Sequence, residues 1–146
     1  MALKRQMAAG VFGAAFFWFG LSVVAQSGET YKARLNALPA DARTRPELAG
    51  NGSISAVLAG SKLTITGSFD GLRSAATTAQ LHSAVAAGVR GPVIYDLTVS
   101  KATSGTVTGS VDLTPPQLES LKKGGLYVQI QSEKAPDGVI WGWLLR

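Results

Sequence analysis

Short stretches that alternate apolar and polar residues, each closed by glycine, aspartate, asparagine or serine, recur along this chain from Tyr31 onward. The clearest is KLTITGSFD (62–70), where Leu63, Ile65 and the small Gly67 share one face and Thr64, Thr66 and Ser68 the other. Successive side chains of a strand point to opposite faces, so this pattern describes a half-buried antiparallel strand. Further strands are predicted over 31–38, 52–59, 78–84, 92–100, 105–113, 126–133 and 138–145, all of ordinary strand length. AGSK (59–62) and SKATSG (100–105) are turn signals between them. One segment breaks the pattern. LTPPQLESLKKGG has Thr114 to cap a helix, prolines at its first positions, Leu118 and Leu121 three apart, and glycines past its end. Residues 38–52 lack periodicity and are predicted as a loop. Eight strands and one short helix in one domain, with no internal repeat, predict an all-β fold. The expected form is an antiparallel Greek-key β-sandwich, with a barrel of the same strands as the alternative.

The first 25 residues stand apart. Lys4 and Arg5 precede an uncharged stretch, residues 7–25, that ends in Val23-Val24-Ala25 before the polar QSGET. Basic start, apolar centre and small residues at the −3 and −1 positions read as a secretory signal peptide cleaved after Ala25. The rival is a retained N-terminal anchor, since the stretch approaches the roughly 20 residues that span a bilayer. Gly10, Gly13 and Gly20 weaken a stable spanning helix and favour cleavage. Either way residues 26–146 form a single domain expected in the periplasm or outside the cell.

Charge and composition narrow the chemistry. Without Lys4 and Arg5, twelve basic residues face nine acidic ones, a net charge of +3. The basic residues are scattered, so no nucleic-acid footprint is expected. There is no cysteine, which removes thiol catalysis and Cys-ligated metals, and leaves an exported domain to stand on its core alone. His82 is the sole histidine. A metal centre needs three or four ligands, and Asp70, Asp96, Asp112 and Asp137, expected at turns or strand ends, show no ligand spacing. Ser and Thr nucleophiles need a positioned base, and no G-x-S-x-G elbow exists. No catalytic residue, cofactor or metal is therefore expected, and the chain reads as a non-enzyme. The plainest role for His82 is a strand residue hydrogen-bonded to a neighbour.

Four segments in order, YKARLNALP, AQLHSAVAAGVRGPVIYDL, SVDLTPPQLESLKKGGLYVQIQSE and PDGVIWGWLL, resemble the CHRD domain. The resemblance covers nearly all of residues 31–145 and implies a β-sandwich of Greek-key type, without implying a reaction. Against the family's usual motifs, Gln80 stands in place of the first histidine of a pair while His82 keeps the second. Gln131 stands in place of a closing histidine, and Val139, Trp141 and Trp143 replace a Glu, an Arg and a Gln. A polar or metal site built on those family residues is degraded here.

The period of two then defines a candidate surface. Val128 and Ile130 face the core, which sends Tyr127, Gln129 and Gln131 to the other face; Ile140 and Leu144 do the same for Trp141 and Trp143; Leu81 separates Gln80 from His82. If these three strands are neighbours, one face carries Gln80, His82, Tyr127, Gln129, Gln131, Trp141 and Trp143. Aromatics among uncharged polar residues suit the centre of a protein interface. The alternation leaves open whether the 38–52 loop or the helix covers the tryptophans. The expected function is a non-catalytic exported module that binds another periplasmic or membrane-associated protein, as an accessory subunit. By family analogy alone the partner is a quinoprotein or cytochrome dehydrogenase. Membrane contact is expected only through an uncleaved N-terminus. The alternative is a carbohydrate or cell-envelope binding domain, with Trp141, Trp143 and Tyr127 stacked on sugar rings.

Overall fold

The computed structural model describes residues 28–146; the signal peptide or anchor expected over residues 1–25 lies outside them. Eight strands form: β1 (Glu29–Ala37), β2 (Asn51–Ala59), β3 (Lys62–Asp70), β4 (Ala76–Ser83), β5 (Val93–Val99), β6 (Gly105–Asp112), β7 (Leu126–Ser132) and β8 (Ala135–Trp143). All eight lie where the alternation places them. The helix α1 (Pro115–Lys122) is capped as its sequence demands: the Thr114 hydroxyl accepts from the Gln117 amide, and the Thr114 amide donates to Gln117 Oε1 at 2.9 Å. This reciprocal pair satisfies two otherwise orphaned donors of the first turn.

The sandwich expectation is corrected. The strands form one closed antiparallel barrel in the order β1-β2-β3-β6-β5-β4-β7-β8, with β8 returning to β1. Two four-stranded halves, β1-β2-β3-β6 and β5-β4-β7-β8, are joined by short ladders. At one seam Thr98 pairs with Thr108 and Val99 with Val107. At the other Asn36 pairs with Trp141 and Ala37 with Ile140, and Lys32 bridges Leu145 beyond the strand. Each half resembles one sheet of a sandwich, but the edges have met.

The closed interior is filled by what points inward. Leu35, Ile54, Leu63, Ile65, Leu81, Val107, Val128, Ile130, Ile140 and Leu144 are all buried. Between them sit small inward residues such as Ala33, Ala56, Gly67, Ala79, Gly109 and Gly142. A Cβ at Gly109 would lie 2.5 Å from Leu97 Cδ2, so the large side chains already occupy the space their small neighbours leave. An eight-stranded barrel is just wide enough for its interior to be filled this way. The outward residues of β2, β3 and β6 are largely Ser, Thr and charged, the inverse of a barrel that faces lipid with its walls.

The 38–52 loop is organised by one carboxylate. Asp41 Oδ1 accepts the backbone N–H of Thr44 at 3.0 Å and of Arg43 at 2.8 Å. These bonds, that to Thr44 foremost, hold the Asp41 carboxyl below the usual carboxylate range. A lowered folded-state value gives stability that is present above the unfolded value and lost as pH falls through the folded one. The protection of the Thr44 amide, its exchange measured against the unstructured chain at the same pH, is therefore expected to fall on acidification below the ordinary carboxylate range, and Asp41→Asn to abolish that pH dependence. An unchanged profile in the variant would remove Asp41 from this role.

Candidate functional site: an aromatic face on the barrel wall

Strands β4, β7 and β8 are adjacent, and their register builds the site in rows. Gln80, Gln129 and Trp141 form one row; His82, Tyr127 and Trp143 form the next. Gln131 pairs with Thr78 one row away. The seven residues expected on one face are on one face, pointing out of the barrel.

That face is covered to an unequal degree. Tyr127 is 1% exposed, Gln129 5% and His82 8%, whereas Gln80, Gln131, Trp141 and Trp143 are half-buried. The cover is chiefly the β4–β5 connection, residues 84–92, rather than the helix. The Gly91 carbonyl accepts from the Tyr127 hydroxyl at 3.1 Å and meets His82 Nδ1 at 2.8 Å. The Gly91 amide donates back to the Tyr127 oxygen at 3.1 Å. Glycine is required there, because a Cβ would run into the Ser83 backbone. The Arg90 guanidinium lies 4.5 Å from the centroid of the Trp141 ring. The 38–52 loop contributes Leu38 over the Gln129 end, where Gln129 Nε2 donates to the Asp137 carbonyl at 3.2 Å.

The rings form a continuous row. His82 and Tyr127 stack at 4.6 Å with planes 15° apart, Tyr127 and Trp143 lie 4.7 Å apart, and Trp141 and Trp143 meet edge-on at 4.9 Å. Beside it runs a chain of side-chain hydrogen bonds: Thr78 Oγ1 donates to Gln131 Oε1 at 2.8 Å, Gln131 Nε2 to Gln80 Oε1 at 2.8 Å, and Gln80 Nε2 to Asp96 Oδ1 at 3.2 Å. A carbonyl only accepts, so the Gly91 contact assigns the His82 hydrogen to Nδ1. His82 Nε2 is then an acceptor, and it is buried without a protein partner. So are Gln129 Oε1 and Trp143 Nε1 on the same face, and Ser132 Oγ nearby on β7. Such groups are uncommon in folded proteins and cost roughly 1–3 kcal/mol each.

Chemically the arrangement offers rings, amides and one guanidinium. The one hydrogen bond of the His82 ring goes to backbone rather than to a nucleophile, and among the described residues no three His, Cys, Asp or Glu side chains gather as a metal site. Sequence reasoning missed Arg90 and Gly91. The only trace was the Val-Arg-Gly-Pro step at 89–92, whose fold-back onto Tyr127 depends on a long-range contact. It also missed a groove of about 510 Å³ next to the rings, lined by Leu38, Leu48 and Pro136 together with Arg43, Arg90 and Lys134.

A family model described as CHRD domain matches residues 31–144. No curated protein and no solved structure matches the chain.

Proposed function

The chain belongs to the CHRD domain family, and from that premise we propose that it is a non-catalytic, exported β-barrel whose β4-β7-β8 face binds another protein. The observation that carries this reading is the row of rings on the outside of a closed barrel. The core is complete without Trp141 and Trp143, yet both are held beside Tyr127, only half covered, with three partnerless polar atoms on the same face. Arg90 and Gly91 hold the cover by hydrogen bonds to one glycine and one cation–π contact, the latter worth about 0.5–1 kcal/mol at an exposed site. A partner that displaces this strap meets aromatic surface and supplies hydrogen bonds that the barrel itself lacks. Aromatic anchors with a removable polar rim are what interface centres favour. The role is an accessory subunit of a periplasmic complex. A membrane-associated quinoprotein or cytochrome dehydrogenase is the partner class that family analogy suggests. The carbohydrate alternative is weakened by geometry: Tyr127 is 1% exposed and the Trp141 ring carries a guanidinium, so neither offers a free face to a sugar.

The test is a mild-detergent pull-down of the tagged protein from its native envelope, with bound proteins and the chain's own mass read by mass spectrometry. A stoichiometric partner is expected, absent with Trp141→Ala, while that variant loses only about 1–2 kcal/mol of stability because the ring is half-buried and edge-packed. An intact mass beginning at Gln26 reports cleavage. A partner retained by Trp141→Ala, or a chain that emerges alone, overturns the reading.

A further inference from the structure

Because every ladder is antiparallel, the start of β1, the end of β2, the β4–β5 connection, helix α1 and the C-terminus share one end of the barrel. Six large apolar side chains are exposed among the described residues: Val57, Val85, Val89, Val93, Tyr95 and Leu145. All six lie in the half of the barrel toward that end. Val85, at 78%, is the most exposed of them and lies near the start of the β4–β5 connection, whose far end, Arg90 and Gly91, covers the rings. Around them stand the exposed cations Lys62, Lys122, Lys123 and Arg146. Of the acids at this end, Glu29 is engaged by Arg146 at 2.9 Å, leaving Asp112 and Glu119 against the remaining cations. The opposite end carries as many acidic as basic residues and no exposed large apolar side chain.

We propose that this end of the barrel docks on an anionic membrane surface, with Val85, Val89 and Leu145 entering the interface and Lys122, Lys123 and Lys62 on the headgroups. Apolar side chains ringed by lysine and arginine are the chemistry that binds the headgroup boundary, through buried apolar area plus attraction to anionic lipid. The covalent chain agrees. The uncharged stretch 7–25 ends four residues before Glu29, a span of roughly 14 Å when fully extended. A bilayer engaged by that stretch is thus brought to this end of the barrel and to no other. The surface also stands without the stretch, since its residues all belong to the barrel. This docking uses the barrel's end and partner binding its wall, and the two meet at the β4–β5 connection, which carries Val85 and Val89 toward the end and Arg90 and Gly91 over the rings.

The absence of cysteine allows single reporters. Val85→Cys, Leu145→Cys and, at the opposite end, Lys101→Cys are labelled with an environment-sensitive fluorophore in the protein as purified from its envelope. They are then mixed with phosphatidylglycerol-containing or pure phosphatidylcholine vesicles. The labels at 85 and 145 are expected to shift to the blue with anionic vesicles and that at 101 to stay unchanged. Adding Lys122→Glu and Lys123→Glu, both exposed and outside the core, should lower the bound fraction by about tenfold. Equal responses at 85 and 101, or binding indifferent to both headgroup charge and the lysine variant, overturn the proposal. A label at 85 that is shielded by envelope proteins but not by vesicles overturns it too, in favour of a protein interface at this end.

Discussion

Replacing Gly142 with valine is expected to open the barrel. Gly142 lies inward on β8 between Ile140 and Leu144, both fully buried, at the seam where β8 meets β1. A Cβ there would collide with the backbone carbonyl of Arg34, its carbon 2.9 Å away, and press on Leu35 Cδ2 at 3.2 Å. The obstacle is backbone and cannot rotate aside. The seam is also short: Asn36 with Trp141, Ala37 with Ile140, then the paired bonds Lys32 N to Leu145 O at 2.7 Å and Leu145 N to Lys32 O at 2.8 Å. Overpacking alone costs roughly 1–3 kcal/mol, and each ladder bond lost adds roughly 1 kcal/mol. About 4 kcal/mol is therefore expected, a large share of the roughly 5–15 kcal/mol that stabilises a domain. Urea unfolding reads the loss, and amide exchange should accelerate first at Lys32 and Leu145. An unchanged midpoint with normal protection at Lys32 would show that the seam does not depend on this glycine.

Ile130→Ala should destabilise the barrel by about 3–5 kcal/mol, toward the upper part of the range for such truncations. Ile130 is fully buried in the middle of β7, paired with Ala79 on one side and Ile140 on the other. Ala79 is already as small as a side chain can be, and the strands on both sides are held by their ladders. The cavity therefore cannot collapse, and incomplete collapse is what raises the cost. The urea midpoint should fall with the slope unchanged, since the surface exposed on unfolding is nearly the same. A loss under 1 kcal/mol would mean that the interior repacks freely and that the large-and-small fit described above does not hold it.

Most of the strand map was legible because its cause is local. In β3 and β7 the alternation of apolar and polar residues is itself the record of two faces, and in α1 the Thr114 cap and the two prolines act within one turn. The candidate face was legible for the same reason: once Val128 and Ile140 are inside, Tyr127 and Trp141 must be outside. What local pattern could not carry was the state of the edges. Two sheets in a sandwich and two halves of a barrel present the same inward residues, and the difference lies in whether Asn36 meets Trp141 and Val99 meets Val107 across the gap.

The amino-acid order by itself determined the eight strands, the helix and the two alternating sets of side chains within each strand, because each follows from the geometry of neighbouring residues along the chain; that β4, β7 and β8 lie side by side and bring the seven residues to one wall was decided by strand order. Tertiary structure alone decided that the sheet closes, that Arg90 and Gly91 fold back over Tyr127 and Trp141, and that the exposed valines and Leu145 gather at one end. Those outcomes depend on strand order and on contacts between residues distant in sequence, such as Gly91 with Tyr127, and no spacing within a strand encodes them.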